Sequence, residues 1–443
     1  MKKVYIETLG CQMNKSDTER IIGMLSHFDY EKTDDQKNAD LLIVNTCSIR
    51  QLSADKAYSI LGRWGKRKQT HPDIKIGICG CVAQQDKENI FKRAPYIDLV
   101  FGTHNIYELP DLIKRIENNE KVFAIKENDS VKENPEYKIS REKSFNAWVP
   151  IIEGCNNFCT YCIVPYTRGR ERSRDFNTII KEVQTAVNEG FKEITLLGQN
   201  VDSYGKDFKD KNITLSTLLK ELNNIPGDFR IRFVTSYPTD ITDELILTVK
   251  NSDKVCNYFH MPMQSGSTEI LKKMNRRYTK EEYSNIVGKI RDIFKDDVVI
   301  TSDFIAGFPG ETEEQFQETL NVIDELQLDY SNTAAYSPRE LTVAAKWNDK
   351  FIDDQTKQNR LFRLNEKNKQ AVINSNKKCL GKIYRVLVED YNVDNNSCNI
   401  TLKTRADNNK IVHVSGGNKD LLGTFINVKI SDYSNWCLYA EIV

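Results

Sequence analysis

No stretch of this 443-residue chain approaches the roughly 18 consecutive apolar residues of a membrane span, so no transmembrane anchor is expected. The opening run Met1-Lys2-Lys3-Val4-Tyr5-Ile6-Glu7 lacks the apolar core and small-residue cleavage site of a secretory leader. A cytoplasmic location is the expectation. Net charge is also missing, with 63 basic residues against 63 acidic ones. That balance argues against a wholesale nucleic-acid binder and leaves only local patches for docking. Histidine is scarce at five, and none lies between His104 and His260. The gap weakens any reading of the cysteines in between as a Cys/His zinc site.

Cysteine, by contrast, is plentiful at eleven. In a reducing compartment this points to metal or redox chemistry rather than disulfides. The segment Cys155-Asn156-Asn157-Phe158-Cys159-Thr160-Tyr161-Cys162 places three thiols on one short loop, and the next cysteine is Cys256. Three thiolates can hold three irons of a 4Fe–4S cubane. The fourth iron then stays open to a small molecule, as metal positions do in catalytic sites. A structural zinc loop is the alternative, although zinc sites usually pair two C-x2-C units or add histidines.

Periodicity divides the chain into parts. Residues 1–120 alternate strand and helix signals: Val4–Leu9, the buried-type run Leu41–Val44, Ile74–Ile78 and Asp98–Phe101, with Ile21, Leu25 and Phe28 at helical spacing. This predicts an open α/β sheet domain. Residues 121–144 are charged and poor in apolar side chains, and read as a linker. From 145 to 375 strand-like runs begin near Trp148, Glu193, Arg230, Asn257, Val298 and Ser331, with helical patterns between them. Six such units predict a partial (βα)6 barrel, whose chemistry would sit at the C-terminal ends of the strands. The Cys155 loop follows the first of these. Residues 376–443 hold only short β runs, Ile383–Glu389, Cys398–Lys403, Ile411–Val414 and Thr424–Ile430, with turns at Asp394-Asn395-Asn396 and Gly416-Gly417. A small all-β barrel of about five strands is expected, a kind that often grips nucleic acid.

A second cysteine set belongs to the first domain. Cys11, Cys47 and Cys81 each fall just past the end of a different expected strand. If those strands are parallel neighbours, the thiols meet at the sheet edge where open α/β sheets bind ligands. Three convergent thiolates again suit a 4Fe–4S cluster. Cys79 competes with Cys81, and the glycine beside Cys81 favours the latter. Cys256, Cys379, Cys398 and Cys437 read as packing residues.

Six ordered motifs carry a family resemblance. They are Thr8-Leu9-Gly10-Cys11-Gln12-Met13-Asn14, then Asn45-Thr46-Cys47-Ser48-Ile49-Arg50, then Glu153-Gly154-Cys155 through Cys162-Ile163-Val164-Pro165-Tyr166-Thr167-Arg168-Gly169-Arg170-Glu171. Gly198-Gln199-Asn200-Val201, Gln264-Ser265-Gly266-Ser267 and Gly307-Phe308-Pro309-Gly310-Glu311-Thr312 follow. Over essentially its full length the chain resembles the radical S-adenosylmethionine methylthiotransferases, and its last module resembles the RNA-binding TRAM domain. Cys-Gln-Met-Asn together with Asn-Thr-Cys-Ser-Ile-Arg is similar to the branch acting on isopentenyl-adenosine in tRNA. Relatives acting on threonylcarbamoyl-adenosine tend to carry Cys-Lys-Val-Asn, and those acting on a ribosomal-protein aspartate Cys-Pro-Lys-Asn.

The resemblance implies methylthiolation of C2 of N6-isopentenyl-adenosine at position 37, beside the tRNA anticodon. It implies two 4Fe–4S clusters, a radical-generating one on Cys155, Cys159 and Cys162 and an auxiliary one on Cys11, Cys47 and Cys81. S-adenosylmethionine would be both radical source and methyl donor, lying near Tyr161, Gly198, Gln199, Ser236 and Gln264. Arg168, Arg170, Arg172 and Arg174, on one face if extended, would grip phosphates of the anticodon stem-loop with the β module. An electron donor such as flavodoxin or ferredoxin and a sulfur or iron–sulfur carrier would be partners. Three departures stand out: Ser236-Tyr237-Pro238 for Ser-His-Pro, Pro262-Met263-Gln264 for Pro-Val-Gln, and Arg339 through Ala345, which lacks the usual Gly and Pro. The competing readings are the same chemistry on threonylcarbamoyl-adenosine or a ribosomal-protein aspartate, and an RNA-binding iron–sulfur protein without turnover.

Overall fold

The structure, a computed structural model, describes residues 1–48, 51–131, 133–134, 136–142, 144–393 and 400–443. Ile49 and Arg50 of the second motif, the turn at Asp394–Asn396 and Cys398 lie outside the described residues. Among the described residues no helix is long and apolar enough to cross a membrane.

The N-terminal part is a six-stranded parallel sheet. Its strands are β1 (Lys2–Leu9), β2 (Tyr30–Lys32), β3 (Leu41–Thr46), β4 (Lys75–Gly80), β5 (Leu99–Phe101) and β6 (Val122–Ala124), in the order β2-β1-β3-β4-β5-β6. β3 is buried along its whole length, which is why it reads as an unbroken apolar run. The chain leaves β1 toward β2 and returns to β3 on the other side, so a topological switch point falls between β1 and β3, the usual crevice for ligands. Register sets Leu9 opposite Thr46, and Thr46 opposite Gly80. The residues that follow these three strand ends therefore emerge at one edge.

The central part uses β7 (Asn146–Pro150), a short antiparallel ribbon of β8 (Ile152–Glu153) and β9 (Arg172–Ser173), then β10 (Glu193–Leu197), β11 (Arg230–Phe233), β12 (Tyr258–His260), β13 (Val299–Ala306) and β14 (Tyr330–Ala335). Two parallel three-stranded sheets, β11-β10-β7 and β12-β13-β14, are joined by a bridge between Ile231 and Val255. The result is a six-stranded partial barrel with β7 and β14 as its free edges. Ala147, Val149, Ile194, Leu196, Ile231 and Phe233 face the surrounding helices in the main core. The alternate residues of the same strands face inward. The C-terminal part is a closed barrel of β15 (Ile383–Val393), β16 (Ile400–Ala406), β17 (Ile411–Ser415), β18 (Phe425–Tyr433) and β19 (Leu438–Ile442).

The expected linker is corrected. Its first residues complete the sheet as β6, so that sheet runs past residue 120. Parts of the rest are strapped against helix Gln12–Ser26 and the barrel. A Cβ on Gly23 would lie 1.8 Å from the Lys138 carbonyl oxygen, and Ser140 N donates to Glu19 O at 3.1 Å. Glu182, on barrel helix Phe176–Asn188, gathers three buried arginines from three segments: Arg20 at 3.0 Å, Arg141 at 2.8 Å and Arg174 at 2.6 Å. Glu133 also meets Arg174. The guanidinia hold the Glu182 carboxyl down at about 2 against the effect of burial. Replacing it removes the carboxylate shared by three buried guanidinia and leaves Arg20 and Arg174 with Glu133 alone, which costs about 3–5 kcal/mol. Glu182→Ala should therefore loosen the first domain from the barrel, read as faster limited proteolysis in the 126–134 stretch and a lower first unfolding midpoint.

Candidate active site

The β8–β9 ribbon holds both ends of the Cys155 loop. Ile152 pairs with Ser173, and Arg172 Nη2 meets Glu153 Oε2 at 2.8 Å. Gly154 enters the loop at φ +79°, and a Cβ there would sit 2.1 Å from the Arg170 carbonyl oxygen, so only glycine fits. Gln199 Oε1 accepts from Gly154 N at 2.6 Å. On the far side, Thr160 N donates to Met274 O at 3.0 Å, and Asn275 Nδ2 donates to the carbonyls of Asn157 and Phe158 at 3.1 and 3.0 Å. Ala344 N donates to Thr160 O at 2.8 Å. Ala344 belongs to the loop that lacks the family's Gly and Pro. No residue from 339 to 345 has positive φ, so that loop has no need of glycine.

Burial pushes the Cys155 thiol up to about 11 and Cys162 up to about 12, and the charge of Cys159 adds to both. Ionising all three together needs cationic charge in their midst, which a bound iron cluster supplies. Among the described residues no three His, Cys, Asp or Glu side chains gather closely enough for a single metal ion. Arg276 stands in a basic stretch, Lys272-Lys273-Met274-Asn275-Arg276-Arg277, of the kind that usually forms a solvated face. It is buried, with Nη1 3.6 Å from Cys159 Sγ and the guanidinium 4.6 and 5.0 Å from the Tyr237 and Tyr278 rings. Tyr237, where the family usually has His, accepts from Arg277 N at 3.0 Å and so braces the same segment.

The residues expected near S-adenosylmethionine lie on the loop or past strand ends. Tyr161 sits edge-on to Phe308 with centroids 6.4 Å apart. Gly198 and Gln199 follow β10, Ser236 follows β11 and Gln264 follows β12. Gln264 and Thr235 hold φ of +79° and +76°, backbone strain of the kind that clusters at functional sites. Thr235 carried no signal in the sequence beyond its place after a strand. Asn200 Oδ1 and Asp202 Oδ2 are buried acceptors without a protein donor, while Ser236 Oγ donates to Asp202 Oδ1 at 3.1 Å. Burial pushes Asp202 up to about 8. Both residues follow the C-terminal end of β10, just after Gln199, where a bound ligand would find buried polar atoms with spare hydrogen-bonding capacity.

The other thiols meet at the sheet edge. A Cβ on Gly10 would lie 2.6 Å from Cys47 Cβ, so Cys11 and Cys47 are close neighbours. The Cys47 thiol, helped by Arg168 and set against burial, brings Cys11 down to about 6. Burial raises Cys81, opposed by Arg168. Asn14 Nδ2 bonds Asn45 Oδ1 and Thr46 O, both at 3.1 Å, locking the first two cysteine turns together. Cys79 packs instead among Ile21, Leu99 and Phe101. Cys256 and Cys379 are buried.

The expectation for the four arginines is corrected at three of them. Arg168 pairs with Asp17 at 2.8 Å, Arg172 with Glu153, and Arg174 with Glu182 and Glu133, all buried and closed to phosphate. Of the four only Arg170 is exposed, 5.1 Å from the Phe158 ring. The first domain also grips the backbone here. Thr103 Oγ1 donates to Thr167 O at 2.8 Å, and His104 Nε2 lies 3.0 Å from Arg168 O. Asn128 N donates to His104 Nδ1 at 3.1 Å, so the proton sits on Nε2 and the ring is neutral. Burial, then Arg172, hold His104 down at about 4, below its ordinary value. Because the folded value is the lower one, this stabilisation is complete above about pH 6.5 and is lost as pH falls toward 4, on the order of 2–3 kcal/mol. His104→Gln should flatten that acid limb in pH-dependent thermal unfolding.

A cavity of about 500 Å³ runs along the inner face of β7, β10 and β11. Gln12, next to Cys11, walls one side, Trp148 and Arg232 the barrel side, and Leu387 and Arg405 the C-terminal side. All three parts of the chain thus line one space.

The partial barrel with its three-thiol loop defines a radical S-adenosylmethionine enzyme: the profile described as the radical SAM superfamily matches residues 149–323. The profile described as uncharacterized protein family UPF0004 matches 3–102, and the TRAM domain matches 377–443. In fold the chain is similar to the radical S-adenosylmethionine methyltransferase TsrM of Kitasatospora setae, with a TM-score of 0.58 and 12% identity over 78% of this chain and 77% of that one. Over its whole length the similarity is much closer. The chain is 45% identical to the tRNA-2-methylthio-N(6)-dimethylallyladenosine synthase of Thermoanaerobacter pseudethanolicus, over 99% of this chain and 92% of the relative. It is 44% identical to that of Clostridium beijerinckii, over 100% and 96%. The chain belongs to the tRNA-2-methylthio-N(6)-dimethylallyladenosine synthase family.

Proposed function

We propose that the chain replaces the C2 hydrogen of N6-isopentenyl-adenosine at position 37 of tRNA with a methylthio group. The observation that carries this reading is the packing of the first domain on the three-thiol loop's following segment, where Arg168 pairs with Asp17 of the helix after Cys11, together with a cavity lined by all three parts of the chain. In this reading Cys155, Cys159 and Cys162 hold a 4Fe–4S cluster that supplies reductive cleavage of S-adenosylmethionine, and Cys11, Cys47 and Cys81 hold a second that supplies sulfur. The chain's own residues position and exclude. Tyr161, Gly198, Gln199, Ser236 and Gln264 frame the cofactor, while Asn200 and Asp202 accept its hydrogen bonds. Trp148 offers an aromatic face to a base splayed from an unstacked loop. Arg170 and the C-terminal barrel supply contacts to the anticodon stem-loop. Walls from all three parts limit the access of water to a base held in the cavity. An electron donor such as flavodoxin or ferredoxin and a sulfur carrier complete the cycle.

Mass analysis of tRNA nucleosides from a strain lacking the gene tests the assignment. Methylthiolated isopentenyl-adenosine should vanish while isopentenyl-adenosine accumulates. Loss of the methylthio form of threonylcarbamoyl-adenosine instead, or an unchanged nucleoside profile, would overturn it.

A further inference from the structure

Arg276 is a buried cation without a carboxylate. It is 9% exposed, and among the described residues no ion pair includes it. Its guanidinium is held instead by neutral groups. Nε donates to Tyr278 Oη at 2.6 Å and Nη2 donates to Pro262 O, while the Tyr237 and Tyr278 rings pack on the guanidinium. Both rings are themselves pinned, since Tyr278 Oη donates to Met263 O at 3.0 Å and Tyr237 Oη accepts from Arg277 N at 3.0 Å. The remaining fork nitrogen, Nη1, donates to Cys159 Sγ at 3.6 Å. The main chain fixes the same approach. Arg276 N donates to Leu271 O at 2.8 Å, and the neighbouring Asn275 clamps the loop carbonyls on either side of the Asn157–Phe158 peptide link. Of the three atoms the fork meets, only the Cys159 sulfur readily takes negative charge. An unpaired buried cation is costly, so this sulfur is where its compensation lies. Hydrogen bonds to the sulfurs and nearby charge set the reduction potential of an iron–sulfur cluster. Reduction adds one negative charge, which a fixed cation favours.

We propose that Arg276 is a positioning residue of the Cys155/Cys159/Cys162 site: Nη1 orients the Cys159 thiolate, and the guanidinium raises the reduction potential of the cluster held there. Tyr237, standing where the family usually has His, keeps the fork aimed at the sulfur by packing its ring on the guanidinium. This rests on reading those three cysteines as cluster ligands.

The test uses the full chain carrying Cys11→Ala, Cys47→Ala and Cys81→Ala, so that any reconstituted cluster reports on the radical loop alone. Iron content and the electron paramagnetic resonance signal of the reduced protein establish that cluster. A background holding no iron overturns the ligand reading, and the inference with it. Where iron is held, redox titration compares Arg276→Met, Arg276→Lys, Tyr237→Phe and Tyr237→Leu. Poised at the background's midpoint, Arg276→Met should show a reduced-to-oxidised ratio about tenfold lower, or 59 mV for one electron. Arg276→Lys keeps the charge without the planar fork, so its ratio should fall between those two. Tyr237→Phe keeps the ring and should hold the background's ratio, whereas Tyr237→Leu should move it toward that of Arg276→Met. If Arg276→Met does not fold or holds no iron, the intact fork is read directly. With the guanidino nitrogens of arginine isotopically labelled, the reduced background should show a nitrogen hyperfine coupling that Arg276→Lys loses. A merely structural role predicts an unchanged ratio in Arg276→Met, the same displacement in every variant, or no such coupling, and any of these overturns the proposal.

Discussion

Replacing Cys159 with alanine should leave a folded protein that releases no detectable 5′-deoxyadenosine from S-adenosylmethionine under reducing conditions. The loop does not depend on the thiol for its shape. Thr160 is held by Met274, Lys273 and Ala344, and Asn275 clamps the carbonyls of Asn157 and Phe158. Cys159 is only half-buried, so truncation removes little packing. What it removes is one of the three thiols proposed to hold the cluster, on a loop with no spare thiol before Cys256. It also strands Arg276, whose guanidinium faces Cys159 Sγ. Iron content should fall by roughly half, since the first-domain thiols are untouched. Circular dichroism and unfolding midpoint should stay near those of the parent. Release of 5′-deoxyadenosine at the parent rate would sink the radical assignment.

How much of this was legible in the sequence depends on how local each signal is. β10 announces itself as a largely apolar run because it is buried along its whole length, whereas β11 (Arg-Ile-Arg-Phe) alternates and β14 is mostly polar and partly exposed. β2 and β6 went unread because they are three-residue edge strands, β2 with only Tyr30 buried. The cysteine loop is a local pattern, three thiols within eight residues. The first-domain thiols can be read as a set because each follows a strand end. The arginines failed for the opposite reason. Alternation along 168–174 places side chains on a common face, but no local pattern says which carboxylates await them. Asp17 and Glu182 are 151 and 8 residues away from their partners. Arg276 failed in the same way, because a basic run looks solvated until Tyr237, Tyr278 and Cys159 are folded around one member. The buried acceptors at Asn200 and Asp202 became visible only once every neighbouring donor had been placed.

Replacing Cys81 should separate the two chemistries. Cys81→Ala should still split S-adenosylmethionine, giving 5′-deoxyadenosine, yet deliver no sulfur, so isopentenylated tRNA returns without a methylthio group. The physical ground is that the two thiol sets belong to different domains and share only side-chain contacts. Cys81 opens its helix with Val82 N donating to Thr46 Oγ1 at 3.2 Å, a bond that does not involve the thiol. The radical loop is anchored by β8, β9 and the Met274–Asn275 segment through hydrogen bonds that do not involve Cys81. Cys79→Ala is the internal control, two residues earlier and inside strand β4, in the core cluster with Ile21, Leu99 and Phe101. It should keep full iron and product formation and lose only about 1–2 kcal/mol of packing. Methylthiolated product from Cys81→Ala at the parent level, or iron loss confined to Cys79→Ala, would reassign the ligand set. Abortive S-adenosylmethionine cleavage with iron content halved would instead fix Cys81 as the thiol whose cluster feeds the transfer. The radical would then form, as before, on the loop that begins at Cys155.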